Sequence, residues 1–262
     1  MLTQQRRQYI LDLLQQEGEV VAKVLAQQWS ISEDTIRRDL REMDKQGLLQ
    51  RVHGGALPRS PALADLATRS MLCSEEKQLI ARHALTLIQP GDMVVLDGGT
   101  TTLALCQQIP ASLRATFVTH SPPIAMALAQ HPLLDVVLLG GRLYRHSMVA
   151  VGGMTLETVQ QLQPDLYFMG ASSISCEQGA STGDPEEALI KRALARQARA
   201  CWLLASSEKF DTHSPCQILP ASQLPGLIVS PQLSVIVRER LLQLGCRIQV
   251  AGQGVLTAKP SR

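Results

Sequence analysis

Two short stretches of this 262-residue sequence carry residue types at a spacing that could do chemistry. The first is Leu96-Asp97-Gly98-Gly99-Thr100-Thr101-Thr102-Leu103. An apolar run ends at Asp97, two glycines permit a tight turn, and three hydroxyls open a helical pattern. Backbone N–H groups at such a start, with hydroxyls beside them, suit an anion such as phosphate. Glycine lets the backbone approach a ligand with no Cβ in the way. The loop lacks the lysine of a GxxxxGK[ST] phosphate loop and is not GxGxxG. Threonine capping after a strand produces the same letters, so this loop alone leaves a phosphate site and ordinary structure both open. The second stretch is Ser32-Glu33-Asp34-Thr35-Ile36-Arg37-Arg38-Asp39-Leu40-Arg41. Ser32 reads as an N-cap, with Glu33 and Asp34 where the helix dipole favours acids. Ile36, Leu40 and Met43 recur at i, i+4, i+7, and the other face presents Thr35, Arg37, Arg38, Arg41 and Lys45. A helix with a short polar first turn can enter a DNA major groove. There Thr35 and Arg37 or Arg38 reach base edges while other arginines neutralise phosphates.

Charge bounds that second reading. Lys plus Arg number 25 and Asp plus Glu 23, a net charge of +2, so a polycation is excluded and any nucleic-acid contact needs a local patch. Within residues 1–58, Arg6, Arg7, Lys23, Arg37, Arg38, Arg41, Lys45 and Arg51 are balanced by Asp12, Glu17, Glu19, Glu33, Asp34, Asp39, Glu42 and Asp44. Composition by itself therefore fits a protein-interaction module with a solvated charged face as well as a DNA-binding one. At 3% aromatics, a sheet that stacks single-stranded bases is disfavoured. The six cysteines are scattered with no CxxC, which predicts reduced thiols and neither disulfides nor a metal site. Apolar runs such as 93–96 and 136–139 are far shorter than the ~20 residues of a membrane span. No apolar segment backs the basic residues near the start, so a cytoplasmic chain without a secretory signal is expected.

The elements that must position these residues divide near residue 60. Residues 1–57 read as helices. Helix one carries Ile10, Leu13 and Leu14; helix two carries Val21, Val24, Leu25 and Trp29; a turn follows at Ser30-Ile31. Gly47 closes helix three as a C′ residue, and Leu48-Leu49-Gln50-Arg51-Val52-His53-Gly54-Gly55 has room for a two-strand wing. Residues 58–74, with Arg59-Ser60-Pro61-Ala62, form a linker. Over 75–262, apolar runs at 93–97, 116–119, 136–139, 166–169, 202–205, 227–229 and 247–250 alternate with helical patterns at 75–88, 101–108, 123–130, 155–162, 185–200 and 232–244. Such alternation predicts a mostly parallel sheet covered by helices, with right-handed crossovers. Ligands of open α/β sheets bind at the carboxyl ends of strands. Polar residues gather there: Thr119-His120-Ser121, Gly140-Gly141-Arg142, Gly170-Ala171-Ser172, the loop 179–184 before Glu186, Glu187 and Lys191, and Ser206-Ser207-Glu208-Lys209-Phe210. Each has a plain alternative: Glu187 and Lys191 as a surface i, i+4 pair, His120 as a cap, Gly140-Gly141 as a turn.

Residues 32–40 followed by Gly47-Leu48-Leu49-Gln50-Arg51-Val52-His53-Gly54-Gly55-Ala56 resemble the DNA-binding signature of DeoR/GlpR-type bacterial transcription regulators. The second half resembles the sensor domain of the same family. The matching pieces are Glu75-Glu76-Lys77 with Ile80-Ala81, the loop 97–102, Thr119 with Ser121, Leu139-Gly140-Gly141, Val151-Gly152, Asp165 with Phe168 and Gly170, Glu187 with Lys191, and Ser207 with Lys209-Phe210. The resemblance implies an all-α winged helix-turn-helix head and an α/β domain of the kind shared by ribose-phosphate isomerases, glucosamine-phosphate deaminases and CoA transferases. It implies DNA contacts from Ser32, Glu33, Thr35, Arg37, Arg38, Arg41, Arg51, His53 and Gly54, with a wing at 51–55. It also implies a phosphorylated sugar or related metabolite as effector, its phosphate held by Thr100, Thr101 and Thr102. Asp97, Gly98, Gly99, Ser121, Gly140, Gly141, Gly170, Glu187, Lys191 and Lys209 complete that implied site. The expected partners are double-stranded operator DNA, the effector, and a second copy or three more in a homodimer or homotetramer; no cofactor or metal is implied. The sequence departs from the family at Ser173-Ile174, where Gly-Ile is usual, and at Ser206-Ser207-Glu208-Lys209, where an Asp usually precedes Ser-Lys-Phe. The runner-up is a sugar-phosphate isomerase or deaminase with an added DNA module. It needs a carboxylate base, and Gly170-Ala171-Ser172-Ser173-Ile174 supplies none, although Asp184, Glu186 and Glu187 are near in sequence.

Overall fold

The computed structural model describes residues 3–17, 20–45, 48–52, 54–58 and 73–256. In the head, α1 (Thr3–Glu17), α2 (Ala22–Gln28) and α3 (Glu33–Lys45) pack around Ile10, Leu14, Leu25, Ile36, Leu40 and Met43. The i, i+4, i+7 stripe of α3 is buried throughout, as its spacing dictates. Helix two differs from expectation. Ala22, Leu25 and Ala26 face inward, while Val21 and Val24 are exposed. Val21 belongs instead to a strand, β1 (Val20–Val21), which joins β2 (Leu49–Val52) and β3 (Gly55–Pro58) in an antiparallel sheet of order β1-β3-β2. The expected wing thus gains a third strand. A Cβ on Gly55 would stand 1.9 Å from the Val20 carbonyl oxygen, so the β1–β3 pairing requires glycine. Gly47, His53 and residues 59–72 of the expected linker lie outside the described residues.

From Ser74 onward, strands and helices alternate. The order is α4 (Ser74–Leu85), β4 (Met93–Leu96), α5 (Thr100–Cys106), β5 (Thr116–Thr119), α6 (Pro122–Leu128) and β6 (Asp135–Leu138). A hairpin of β7 (Arg142–Tyr144) and β8 (Val149–Val151) follows, then α7 (Gly153–Gln160), β9 (Leu166–Met169), β10 (Ser173–Ser175), β11 (Gly179–Thr182) and α8 (Pro185–Gln197). The remainder is β12 (Ala200–Ala205), β13 (Cys216–Leu219), β14 (Gly226–Val229), α9 (Val235–Gln243), β15 (Ile248–Val250) and β16 (Gly254–Leu256). Eight described strands form one sheet of order β16-β15-β14-β12-β9-β4-β5-β6, in which β16 alone runs antiparallel. The seven parallel members are the seven runs expected from sequence.

The strands are apolar on both faces because both faces are covered. Val95, Tyr167, Leu203 and Val229 pack with Ile190 and Leu194 of α8 and Leu241 of α9. Their neighbours Val94, Phe168, Leu204 and Ile228 pack with Ile80 and Ala84 of α4, Leu105 of α5 and Ile124 of α6. Two pieces went unforeseen, the β7–β8 hairpin and an antiparallel sheet of order β10-β11-β13. Each of these strands is three or four residues long, too short to show a hydrophobic period, and β10 and β11 are rich in Ser, Thr and Gly besides.

Replacing Gly55 by alanine should destabilise the head by about 1–3 kcal/mol, the usual cost of overpacking. Amide-hydrogen exchange should accelerate across α2, β1 and β3 and stay unchanged in β4, β9 and β12; unchanged exchange in the head would contradict the close approach.

Candidate functional sites

The period of two along β4 carries Asp97 to the face that Val95 occupies, beneath α8. There the carboxylate is wholly buried and accepts from every side. Lys191 Nζ and Tyr167 Oη (3.2 Å) donate to it, as do the backbone N–H of Gly98 (2.8 Å) and of Gly170 (2.7 Å). His120 Nε2 lies 2.9 Å from its Oδ1, and His120 Nδ1 lies 2.9 Å from the Ala150 carbonyl, so both ring nitrogens face oxygens. Burial by itself would raise the Asp97 pKa. The Lys191 charge and the His120 hydrogen bond outweigh it and hold the carboxyl well below the usual carboxylate range. Burial would likewise lower Lys191, but the charges of Asp97 and Glu187 raise it above the ordinary lysine value.

Lys191 also donates to the Gly170 carbonyl (3.1 Å) and lies 3.4 Å from Glu187 Oε1. Glu187 and Lys191 are therefore no surface pair: both are buried. Thr182 (2.7 Å) and Ser147 (3.2 Å) donate to the other Glu187 oxygen. Asp184 starts α8 as its N-cap, accepting from Glu187 N at 2.9 Å, with Pro185 next in line.

Above this cluster opens a cleft. Gly98, Gly99, Thr100, Thr101, Thr102, Gly170, Glu187, Lys191 and Lys209 all line it. The structure thus brings together nine of the thirteen residues expected there. Asp97 lies beneath the floor. Ser121 is buried behind it, donating to the Met148 carbonyl at 2.9 Å. Gly140 and Gly141 do not line the cleft; Thr155 donates to the Gly140 carbonyl at 2.7 Å. A Cβ on Gly98 would come within 2.2 Å of Val149 Cγ1, so this glycine admits the β8 strand behind the loop. Thr102 Oγ1 donates to the Gly99 carbonyl at 2.9 Å. Thr101 Oγ1 is screened from solvent and finds no partner.

Lys77, Ala171, Ser172, Leu204 and Glu208 line the cleft as well; the implied site does not include them, although Ala171, Ser172 and Glu208 belong to the polar loops at the strand ends. Lys77 and Glu208 are 3.8 Å apart although 131 positions separate them, a proximity no local pattern encodes. Glu76, beside Lys77, accepts from Ser230 Oγ and from the Ser207 hydroxyl and N–H, each of these two at 2.8 Å. Burial raises its pKa, yet those hydrogen bonds bring it below the usual range. The Cys73 thiol, partly buried near Glu208 and Glu76, is pushed up to about 12 and stays protonated at neutral pH.

On the head, Ser32 caps α3, its hydroxyl accepting from Thr35 N at 3.2 Å. Arg37, Arg38, Arg41 and Arg51 are all exposed. Arg37 pairs with Glu33 at 2.7 Å; Arg38, Arg41 and Arg51 make no ion pair among the described residues. A groove with about 690 Å³ of empty space runs between α3 and the wing, edged by Arg37, Arg41, Arg51 and Gly54. Asp39 belongs to the opposite face. It is buried, receives Arg6 Nε and lies 3.4 Å from Arg7 Nε, tying α1 to α3. Sequence reading had counted it with the solvated charges; its helical position, three residues after Ile36, marks the inward side.

Residues 72–230 match the family described as the DeoR C terminal sensor domain, and residues 6–61 match the DeoR-like helix-turn-helix domain. The chain is similar to a protein of Escherichia coli O157:H7 named putative aga operon transcriptional repressor, at 29% identity over 96% of this chain and 95% of that one. It is similar also to the glycerol-3-phosphate regulon repressor of Escherichia coli K12, at 32% identity over 80% and 84%. Among solved structures, ribose 5 phosphate isomerase A from Neisseria gonorrhoeae superposes with a TM-score of 0.38 at 14% identity, over 51% of this chain and 52% of that one. That last likeness is too partial to bear on function.

Asp97→Asn should cost about 3–5 kcal/mol at pH 7, because it strips a buried Lys191 of its main partner. A depressed carboxylate contributes in full above its unfolded pKa of about 4 and loses that contribution as pH falls toward the folded value. The gap between wild type and variant should therefore narrow at pH 3, as read by urea unfolding at both pH values. An equal gap would mean that Asp97 is not the ionised partner.

Proposed function

This chain belongs to the DeoR family of transcriptional regulators, and from that premise we propose how its two halves divide the work. It is a DNA-binding regulator and not an isomerase or deaminase. In the reading proposed here, α3 enters the major groove of double-stranded operator DNA. Ser32, Glu33, Thr35, Arg37 and Arg38 meet base edges or the adjoining backbone, and Arg41, Arg51, His53 and Gly54 hold phosphates at the groove and wing. Three arginines that make no ion pair among the described residues, two of them edging the groove between α3 and the wing, support this reading.

The effector is a phosphorylated sugar or related metabolite that sits in the cleft, and occupancy relieves repression of carbohydrate-metabolism genes. One observation carries the sensing half: Thr101 keeps a buried hydroxyl without a partner on the wall of an open cleft that Lys77, Lys191 and Lys209 also line. A native buried polar group left unpaired is uncommon and points to a missing acceptor. That one relative is named for a glycerol-3-phosphate regulon lends support. Gly98, Gly99, Thr100 and Thr102 would complete the phosphate cradle, and Gly170, Glu187 and Lys209 its sides. Asp97 and Ser121 act from beneath, through Lys191 and the loop backbone. Gly140 and Gly141 serve this site only as the turn before the hairpin.

Two heads on repeated half-sites require a homodimer or homotetramer, which we propose forms in the cytoplasm. No helix among the described residues is long and apolar enough to cross a membrane. The effector can shift operator affinity only by the difference in its own affinity for the two arrangements of the heads.

Two variants separate the halves. Duplexes selected from a random pool supply the operator. Arg38→Ala should weaken binding to them about tenfold and reduce the salt slope by about one, as loss of a phosphate or base-edge contact does. Thr101→Glu should bind the same duplexes normally but show no thermal shift with any sugar phosphate that shifts wild type. A wild-type response from Thr101→Glu would remove the threonine loop from the site.

A further inference from the structure

The cleft wall carries a second side-chain oxygen without a partner, and its chemistry is the reverse of the first. Thr101 Oγ1 is a hydroxyl and can donate. Glu208 Oε2 is also screened from solvent and unpartnered, but an ionised carboxylate oxygen can only accept. The other Glu208 oxygen is occupied: Oε1 takes the Ser206 hydroxyl at 2.8 Å and lies 3.8 Å from Lys77 Nζ. These contacts fix the carboxylate on the turn after β12, its side chain only 15% exposed. A screened acceptor with an empty lone pair is costly until a donor fills it. Every cleft-lining lysine adds positive charge, so Glu208 opposes a bare anion. A ligand that also brings a donor would fill the Oε2 lone pair and offset that opposition.

We propose that Glu208 is a specificity-determining residue of the cleft. Its Oε2 accepts a hydrogen bond from a hydroxyl or ammonium carried on the carbon skeleton of a phosphate ester. The inference rests on the phosphate reading above and narrows the effector to phosphates whose chain bears a donor, excluding plain alkyl phosphates. Thr101 and Glu208 then read the two ends of one ligand, acceptor at one and donor at the other.

The test is calorimetric titration of the full chain with four probes: inorganic phosphate, propyl phosphate, glycerol 3-phosphate and phosphoethanolamine. Wild type should favour glycerol 3-phosphate or phosphoethanolamine over propyl phosphate by about tenfold or more, the worth of one hydrogen bond to a charged group. Whichever is favoured identifies the donor as hydroxyl or ammonium. Removing a carboxylate tightens every anion, so the ratio between donor-bearing and propyl phosphate is the readout. In Glu208→Ala that ratio should fall to about twofold or less. Glu208→Leu, which keeps much of the bulk and has no acceptor, provides the same comparison should the alanine variant fail to fold. Equal binding of all three esters to wild type, or a ratio retained without Glu208, overturns the proposal while leaving the phosphate reading intact. Failure of every probe to bind wild type overturns the phosphate reading itself.

Discussion

The buried carboxylate of Asp97 is the interaction on which the sensing half depends. An ion taken out of water survives only when neighbours replace its hydration. Here they come from four directions: Gly98 on the loop, His120 after β5, Tyr167 and Gly170 on and after β9, and Lys191 from α8. Each partner must hold position for the charge to be tolerated, so the carboxyl ends of three adjacent strands and one helix are locked together. The cleft floor is the upper surface of that lock. Its charges are spent on one another below, while the Thr101 hydroxyl above has no partner.

The head solves a similar problem with Asp39. By engaging Arg6 and Arg7 on the inner side, it removes one acid and two bases from the surface sum. Arg37, Arg38, Arg41 and Arg51 stay exposed, as do Asp34 and Asp44 of α3. The charged side chains that edge the groove between α3 and the wing are Arg37, Arg41 and Arg51, so a domain neutral in composition is basic along that groove. Charge counts cannot distinguish the two conditions, because a count carries no direction.

Much of the fold was legible. The seven parallel strands fell where short apolar runs predicted them, with bounds moving by two residues at most; β12, for one, begins at Ala200 ahead of the expected 202. The inward stripe of α3 and the cap at Ser32 followed from spacing and residue type. Helix two misled because Val21 and Val24 are apolar yet exposed, while small Ala22 and Ala26 fill the tight contact with α3. The hairpin at 142–151 and the strands at 173–175 and 179–182 escaped because runs of three or four residues are too short to show a hydrophobic period. In the cleft, the glycine–threonine loop was readable as a local motif. Glu208 was read only as part of a polar loop, since its significance is an unfilled lone pair.

The sequence by itself determined the two-part organisation, the parallel sheet, the inward stripe of α3 and the threonine loop. All of these are set by periodicities and caps that act within a few residues along the chain. The tertiary structure alone decided which charges are buried against one another and which are left facing outward. Asp39, Asp97, Glu187 and Lys191 read in sequence like their exposed neighbours. Their pairing spans from 4 to 94 positions and exists only once the strands and helices have closed around them.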